Sequence, residues 1–325
     1  MEVTAIVPVW NRADLLEKLF DSLDAQTAPP AVVIVVDNGS TDGAAELAER
    51  RGARVIRMGS NRGFAAAVNC GIREVRTGAI AILNNDVVLD ANWLGALTAA
   101  LDDAQVWFAC GKLLDARDPR RIDGLFDAVC RGGTACRIGH GGIDTCEPSR
   151  AIAMTSATAA VFRTELFHKA GPLDEGFVSY LEDVDFGLRC AVGGYAGRYI
   201  AEAIARHEGS ATLGRWNAGV VRAIARNQIV LVAKHYPSPL LWRYGWCILV
   251  AHGLWGLVAL RHGAFVPWGQ GVIEGLRRAW RTRRPTAEST AALRRALTQG
   301  EREILRAPAG VYWKLYSFLT GGGAK

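Results

Sequence analysis

The stretch Gly78–Leu89, GAIAILNNDVVL, decides the fold of this chain. Its apolar run Ala79–Leu83 predicts a short buried strand. Three polar residues, Asn84, Asn85 and Asp86, then separate this strand from a second apolar run. In open α/β sheets ligands bind at the carboxyl ends of the strands, so these side chains predict a ligand site. Asn and Asp also favour turns for reasons of their own, so a plain polar turn is the alternative at this point.

Three further strand–helix pairs precede this stretch. Apolar runs at Val3–Val9 and Ala31–Val36 and a shorter one around Arg54–Met58 predict strands, each followed by a helical pattern. This alternation predicts an α/β fold with a doubly wound, mostly parallel sheet and right-handed crossovers. The chain lacks both the dinucleotide-binding G-x-G-x-x-G and the P-loop motif, which argues against a dehydrogenase and a P-loop kinase.

The predicted strands of this first part all end in Asp, Asn, Gly or Ser. One such loop is ordinary turn chemistry, but four at one sheet edge favour a ligand cleft over coincidence. The four loops are Trp10–Asn11, Asp37–Ser40, Asn61–Gly63 and Asn84–Asp86.

Beyond this region the pattern becomes less regular. Ala104–Leu114 predicts a strand and Asp115–Pro148 a long loop or irregular hairpin, of the kind that often forms a lid or substrate loop. The small apolar run Ala151–Phe162 predicts a strand along the cleft, and Gly197–Ile200 predicts another short strand.

Two groups in this second part are candidates for chemistry. A predicted helix begins near Glu182 and carries Glu182, Asp183 and Asp185 in its first turn. The helix dipole favours acids there, but three acids in four residues exceed that need, and one of them could act as a general base. His207 follows the predicted strand that ends at Ile200, and both a metal-ligand role and a purely structural role remain open for it.

The chain divides at about residue 212 into a predicted catalytic part, 1–212, and a C-terminal extension, 213–325. The net charge of +6 is concentrated in the window Leu213–Pro285, which holds ten Arg and one Lys against the single acid Glu274, together with six of the ten Trp. Apolar Leu240–Leu260 and amphipathic Val266–Arg284 predict helices lying in a membrane interface. The alternative is a helical hairpin packed on the catalytic part with solvated arginines. Because the basic residues alternate with Trp and long apolar runs, nucleic acid is not expected as a partner.

Composition also indicates a compartment. The chain enters a strand-like run at once, without the basic and apolar regions of a secretory signal. Its seven Cys include no C-x-x-C pair, which favours free thiols in a reducing compartment. We therefore expect a cytoplasmic protein, peripheral on the inner face of the cytoplasmic membrane, with a frayed glycine-rich end. A homodimer is an open alternative.

An ordered set of motifs carries a family resemblance over about residues 3–212. The chain resembles glycosyltransferase family 2, with the GT-A fold, and within it bacterial rhamnosyltransferase-like enzymes of cell-surface polysaccharide synthesis. The motifs are Pro8–Arg12, Val36–Asp42, Asn61–Phe64 with Asn69, Leu83–Asp86, Glu182–Asp185 and His207.

The resemblance implies roles for the loop residues. Asp183 would be the catalytic base, with Glu182 as runner-up, and Asp86 and His207 would bind Mg²⁺ or Mn²⁺. The donor would be a nucleotide-diphosphate sugar, dTDP-L-rhamnose first and a UDP-sugar otherwise, and the acceptor a glycan or polyprenyl-diphosphate-linked glycan. The residues expected to bind the nucleotide-sugar are Pro8, Trp10, Asn11, Asp37, Asn38, Asn61, Gly63, Asn69, Asn84 and Asn85.

The chemistry of these residue types agrees with such roles. A divalent cation stabilises the charge that develops on a diphosphate leaving group, and a carboxylate can take the proton of an acceptor hydroxyl. One base and one neutralised leaving group suffice for single displacement with inversion, whereas retention needs a second, nucleophilic acid. The chain departs from the family pattern at Asn84, where the first acid of the D-x-D element would stand. That departure keeps open a non-catalytic sugar-nucleotide- or glycan-binding relative.

Overall fold

The catalytic part alternates strands and helices as expected. The computed structural model describes residues 1–209, 216–282, 290–307 and 310–322. The first elements are β1 (Val3–Val9), α1 (Ala13–Asp24), β2 (Val32–Asp37), α2 (Ala44–Arg50), β3 (Arg54–Arg57), α3 (Phe64–Ile72), β4 (Ala79–Leu83), β5 (Val87–Leu89) and α4 (Trp93–Ala100). The next are β6 (Val106–Asp115), β7 (Ile122–Gly124), β8 (Asp127–Val129), β9 (Ala135–Arg137), β10 (Arg150–Ile152), β11 (Ala159–Arg163), α5 (Thr164–Lys169), a 3₁₀ turn (Glu175–Phe177), α6 (Glu182–Gly193) and β12 (Ala196–His207).

One large mixed sheet organises these elements. Its strand order is β10-β12-β6-β11-β4-β1-β2-β3, with β5 paired to β12 and β7 to β6. β1 runs parallel to both β2 and β4, so the carboxyl ends of these three strands lie side by side. β11 enters antiparallel between β4 and β6. The opening stretch therefore forms a fully buried strand, β4, next to the first strand of the chain.

Apolar residues on both faces explain why these strands are central. β1 and β4 are buried along their whole length, as expected for parallel strands covered by helices on both sides. α1 covers one face with a stripe of apolar side chains at helical spacing. The buried members of that stripe are Leu15, Leu16, Leu19, Phe20 and Leu23.

Two predicted strands differ from the structure. The run 151–162 is divided between β10 and β11, because Ser156 and Thr158 hydrogen-bond each other and Arg137 instead of continuing a ladder. The strand predicted at Gly197–Ile200 extends to His207, with a register shift between Ile200 and Ile204. His207 is thus the last residue of a strand and pairs with Val87 of β5.

The C-terminal extension is a set of helices packed on the catalytic part. They are α7 (Ala218–His235), α8 (Ser238–Arg261), α9 (Phe265–Thr282), α10 (Thr290–Arg306) and α11 (Val311–Thr320). A Cβ at Gly271 or Gly275 would collide with backbone oxygens of α7, so these glycines allow α9 to pack closely on α7. Tyr236 and Tyr316 are fully buried in one core cluster with Cys130 and Phe126 of the catalytic part.

Parts of the predicted organisation fall outside the described residues. The boundary between 212 and 213 is one of them, as are the predicted helix ends at Arg284 and Ala287 and the frayed end from residue 323. α8 is long and apolar enough, by length and composition alone, to cross a membrane, and 39 % of its apolar window is buried in the protein.

Candidate active site

The loop after β1 is tied to the two neighbouring loops at the sheet edge. The Asn11 N–H donates to Oγ of Ser40 at 2.8 Å, and the N–H of Thr41 donates to Oδ1 of Asn11 at 2.8 Å. Nδ2 of Asn85 donates to the carbonyl oxygen of Asn11 at 3.1 Å. Asn11 and Arg12 both have positive φ angles, 61° and 65°, a strained backbone of the kind that functional loops retain. The structure therefore brings together the predicted loops that follow β1, β2 and β4.

Asn38 braces the third loop, which follows β3. Its Nδ2 donates to Oδ1 of Asn61 and to the carbonyl oxygen of Gly63, and its Oδ1 accepts from the N–H of Arg62. Gly63 has φ 90°, and a Cβ there would lie 2.4 Å from the carbonyl oxygen of Val178. Only glycine fits this position, so the loop is shaped by close backbone contact.

The remaining residues expected at the nucleotide end differ in exposure. Asp37 is buried, and its Oδ1 accepts from the N–H of Ser40 at 2.9 Å. Pro8 is buried within β1 opposite Val36. Trp10 is exposed at the rim, where an aromatic face is free to stack on a ligand. Of the three, Trp10 has the most accessible side chain.

Asn69, expected to bind the nucleotide-sugar, lies within the core of the protein. The side chain is buried in α3, where Nδ2 donates to the carbonyl oxygen of Leu173 and to Glu175, and Oδ1 accepts from the N–H of Leu173. Its amide therefore holds the 173–175 turn.

The Asn84–Asp86 turn carries oxygens that need partners. Oδ1 of Asn84 and Oδ1 of Asp86 are buried without a hydrogen-bond partner among the described residues. Oδ1 of Asp86 lies 3.2 Å from Nε2 of His207, an ion-pair distance without hydrogen-bond alignment. Burying a carboxylate oxygen and an amide oxygen without hydrogen bonds costs free energy, unless another group binds to them.

His207 connects this turn to a second carboxylate. Its Nδ1 lies 2.8 Å from Oδ2 of Asp123, which also accepts from Nη1 of Arg137 at 3.0 Å. Burial alone would lower the pKa of His207, but its contacts with Asp123 and Asp86 raise that pKa to about 9. Burial opposes ionisation of Asp123 as well, yet its hydrogen bond with His207 and the charge of Arg137 hold its pKa well below the ordinary value. An imidazole held by a carboxylate at one nitrogen has the other nitrogen fixed in direction.

Asp183 stands on the other side of a short segment. Its Oδ2 accepts from the N–H of Ala157 at 3.2 Å, and the carbonyl oxygen of Thr158 accepts from the N–H of Asn84 at 2.8 Å. Adjacent residues of one irregular segment therefore contact both Asp183 and the Asn84–Asp86 turn. Asp183 itself is half-buried.

Glu182 is in a different environment. It is buried, and its Oε2 has no hydrogen-bond partner among the described residues. Burial, with the nearby charge of Asp183, raises the pKa of Glu182 well above its ordinary value. A buried carboxyl whose charged form is disfavoured is less suited to act as a base than a half-buried one, which favours Asp183 between the two.

Asp185 holds helix α6 to the C-terminal extension. Its side chain is fully buried and pairs with Arg189 at 3.1 Å and with Lys234 and His235 of α7 at 2.8 Å each. Nδ2 of Asn227 from α7 donates to three carbonyl oxygens of the segment before α6, those of Phe177, Ser179 and Tyr180. The extension therefore fixes the start of the helix that carries Asp183.

No pattern in the sequence indicates three further residues of the site. Asp123, Asp127 and Arg137 lie in the region 115–148, which shows little periodicity. Arg137 donates through Nη2 to Oγ of Ser156 and to Oγ1 of Thr158, both at 3.1 Å. Burial raises the pKa of Asp127 to about 7, and the charge of Asp183 contributes to this rise. The strands that carry these residues have three residues each, too short to give a strand pattern.

Comparison with known proteins identifies the family of this chain. A family model described as glycosyl transferase family 2 matches residues 4–170. The chain is 28 % identical over 281 residues to an N-acetylglucosaminyl-diphospho-decaprenol L-rhamnosyltransferase of Mycobacterium tuberculosis, covering 74 % of this chain and 89 % of that protein. It is 30 % identical over 200 residues to the O-antigen biosynthesis protein RfbC of Myxococcus xanthus, covering 58 % of this chain and 16 % of that protein.

Solved structures agree on the fold. GalNAc-T7, solved with UDP, GalNAc and Mn²⁺, superposes with a TM-score of 0.63 at 12 % identity, covering 92 % of this chain and 57 % of the other. Mannosyltransferase PcManGT from Pyrobaculum calidifontis, solved with GDP-Man and Mn²⁺, gives 0.52 at 19 % identity, covering 100 % and 88 %. Since the family model spans more than half of the sequence, the chain belongs to glycosyl transferase family 2 and is a rhamnosyltransferase-like glycosyltransferase with the GT-A fold.

Proposed function

We propose that the enzyme transfers a sugar from a nucleotide-diphosphate sugar to an acceptor hydroxyl by single displacement with inversion. The observation that carries this proposal is the placement of Asp183 and the Asn84–Asp86 turn on either side of Ala157–Thr158. One carboxylate is thereby available to the acceptor, while the turn holds two buried oxygens that have no hydrogen-bond partner among the described residues. Burial beside Asp183 disfavours the charged form of Glu182, which makes it unsuited to be the nucleophile of a retaining scheme.

Asp86 and His207 fit a divalent cation, Mg²⁺ or Mn²⁺. Oδ1 of Asp86 is a hard oxygen to which no described residue donates a hydrogen bond, and Nε2 of His207 lies 3.2 Å from it. Asp123 holds the other nitrogen of the ring, the usual arrangement behind a metal-binding histidine. When bound, the cation would stabilise the negative charge that develops on the diphosphate. A cation held by few protein groups and by substrate phosphates is typical of Mg²⁺ sites.

The residues of the chain supply orientation and proton transfer. Asp183, positioned by the N–H of Ala157, would accept the proton of the acceptor hydroxyl as the new bond forms. The braced loops at Asn11, Asn38 and Gly63 would hold the nucleotide, with Trp10 at the rim. Asn84 would contribute a neutral amide oxygen where a carboxylate is common. In the alternative, a non-catalytic relative, the protein would bind the donor without catalysing sugar transfer.

The named relative guides the choice of donor and acceptor to test. Because this chain covers most of the M. tuberculosis L-rhamnosyltransferase, we take dTDP-L-rhamnose as the first donor to test and UDP-sugars as the next. The name of that relative also suggests a polyprenyl-diphosphate-linked sugar as acceptor. Residues 1–212 would bind the donor and carry out the reaction, and residues 213–325 would meet the membrane.

Exposed apolar stripes on the C-terminal helices support a peripheral membrane site. One face of α8 is buried in the protein, while the opposite face exposes a stripe at helical spacing. α9 exposes a second stripe that ends at Trp280, which is 92 % exposed and lies next to Arg281. Such faces fit helices that lie in the interface of the inner leaflet. The large apolar side chains that α8 exposes are Trp242, Trp246, Leu249, Leu257 and Leu260.

The test of the function is transfer of the sugar with matched variants. We expect the wild type to release nucleoside diphosphate from dTDP-L-rhamnose only with Mn²⁺ or Mg²⁺ and an acceptor. Asp183→Asn should lower kcat roughly 10²- to 10⁴-fold while donor binding in a thermal-shift assay is retained. Asp102→Asn, at an exposed acid of the same part, is the control. Near-normal turnover by Asp183→Asn would refute the role of the base, and donor binding without turnover by the wild type would favour the non-catalytic alternative.

Membrane attachment has its own test. The full chain should sediment with phosphatidylglycerol vesicles, and Trp280→Ser should weaken that sedimentation. Absence of vesicle binding at low salt would refute the attachment without touching the catalytic proposal.

A further inference from the structure

A large basic pocket lies among α8, α10, the end of α11 and the turn between β8 and β9. Its volume is about 910 Å³. Its charged lining residues come from three separate parts of the chain, and arginine dominates them. They are Arg131, Arg243, Arg294, Arg302, Arg306 and Glu301.

The single acidic residue in that lining, Glu301, is already paired. Glu301 accepts from Nε and Nη2 of Arg131, with the shortest contact at 2.6 Å, and also from the N–H of Arg131 and the hydroxyl of Tyr316. Arg243 and Arg294 have no acidic partner among the residues that the structure describes, and both are exposed. The pocket therefore carries two guanidinium groups, those of Arg243 and Arg294, beyond what Glu301 neutralises, which suits a multiply charged anion.

An apolar surface adjoins the pocket at the same end of the helices. Trp242, which is 89 % exposed, directly precedes Arg243 on α8. Nε1 of Trp246 donates to the carbonyl oxygen of Leu319 at 2.9 Å, so this end of α8 is joined to the end of α11. Phe318 on α11 is 83 % exposed, and Gly321 and Gly322, which follow the helix, line the pocket. Cationic pocket and apolar stripe thus form one continuous amphiphilic surface.

We propose that this surface binds the acceptor through its anchor: the pocket takes the diphosphate, and the exposed stripe of α8 and α11 takes the beginning of the polyprenyl chain. The inference rests on the proposed function in that it names the part of the acceptor that is recognised. A diphosphate offers several oxygens to planar guanidinium forks, whereas a phospholipid headgroup offers one phosphodiester. The pocket has room and charge for the former.

The β8–β9 hairpin joins this pocket to the reaction site. Arg131 in its turn lines the pocket, and Asp127 at its start is close enough for Asp183 to affect its pKa. The two residues are four positions apart, so their Cα atoms are separated by at most about 14 Å. A sugar attached to a diphosphate in the pocket is therefore held beside the hairpin that leads to Asp183.

Binding of farnesyl diphosphate to the full chain, measured by calorimetry, tests the proposal. The double variant Arg243→Gln/Arg294→Gln should bind it roughly tenfold or more weakly, because hydrogen bonds to charged groups are lost. Arg295→Gln, at an exposed arginine of α10 outside the pocket, should bind as the wild type does. Inorganic pyrophosphate should compete with farnesyl diphosphate in the wild type.

Two further measurements distinguish a lipid diphosphate from a phospholipid headgroup, and they test the pocket separately from the proposed transfer reaction. Sedimentation with phosphatidylglycerol vesicles should be equal for the double variant and Arg295→Gln; a selective loss in the double variant would identify a phospholipid site and overturn the proposal. Unchanged farnesyl diphosphate binding in the double variant would also overturn it. Because these binding assays contain no donor, they test the pocket even if the enzyme transfers no sugar. In an active enzyme, the double variant should raise KM for the lipid-linked acceptor but not for the donor.

Discussion

Removing the charge of Asp185 should destabilise the enzyme strongly, because this carboxylate joins α6 to α7. Its side chain is fully buried between Arg189, Lys234 and His235, at 2.8 to 3.1 Å. Breaking a buried ion pair by removing one partner typically costs 3–5 kcal/mol. Arg189 keeps backbone carbonyl partners and Lys234 keeps Asp174, so we expect Asp185→Asn to cost about 3 kcal/mol, the lower end of that range.

Urea denaturation at pH 7 measures this cost, and Asp174→Asn provides the matched control. Asp174 is paired with the same Lys234 but is about one-third exposed, and an Asn there retains the oxygen that accepts from the N–H of Gly176. We expect the control to lose less than about 1 kcal/mol. A cost below about 1 kcal/mol for Asp185→Asn, or equal costs for the two variants, would refute the reasoning.

The same contacts determine in which direction the stability contributed by Asp185 changes with pH. Burial opposes the charge of Asp185, but its hydrogen bond with His235 and the charges of His235, Arg189 and Lys234 lower its pKa below the ordinary value, despite nearby Glu182. A group whose pKa is lower in the folded state stabilises the protein above its ordinary pKa, near 4, and loses that contribution as the pH falls further. The difference in stability between wild type and Asp185→Asn should therefore be constant from pH 7 to about 5 and shrink below pH 4. A difference that grows in acid would contradict this assignment.

Three substitutions at the sheet edge test its separate parts. Gly63→Ala should destabilise the enzyme by roughly 1–3 kcal/mol and weaken donor binding, because the new Cβ would meet the carbonyl oxygen of Val178; unchanged thermal stability would contradict this. Asp123→Asn should weaken the apparent Mn²⁺ affinity roughly 10- to 100-fold, since it removes the charge that holds His207; metal titration of donor binding checks it. Glu182→Gln should leave kcat within a few-fold of the wild type, because Glu182 is buried and an amide of similar shape replaces its carboxyl, and a large loss would favour Glu182 as the base.

The fold could be predicted well where the sequence is periodic. The runs of β1, β2 and β4 are wholly apolar or nearly so, and the polar residues that end them lie at one edge because parallel strands share a direction. The helical stripe of α1 likewise predicts the face that it buries. These are properties of short segments, so the sequence alone carries them.

The rest of the site depends on contacts between distant segments. His207 is a candidate by residue type, but its partner Asp123 is 84 positions away, on a three-residue strand. Asn69 has the residue type of a donor ligand, yet its amide is satisfied by a turn 104 positions away. In both cases the side chain's role is set by what folds against it, and neither periodicity nor spacing records that.

Arg137 shows how the two halves of the site depend on one another. Its Nη1 donates to Asp123, which holds His207, and its Nη2 donates to Ser156 and Thr158. Those two residues flank Ala157, whose N–H donates to Asp183. One planar guanidinium therefore joins the surroundings of Asp123 and Asp183, and the polar groups of the irregular segment 153–158 are used in these contacts instead of in a strand ladder. In the mechanism that we propose, this rigid fork would set the separation between the base, Asp183, and the metal site at His207.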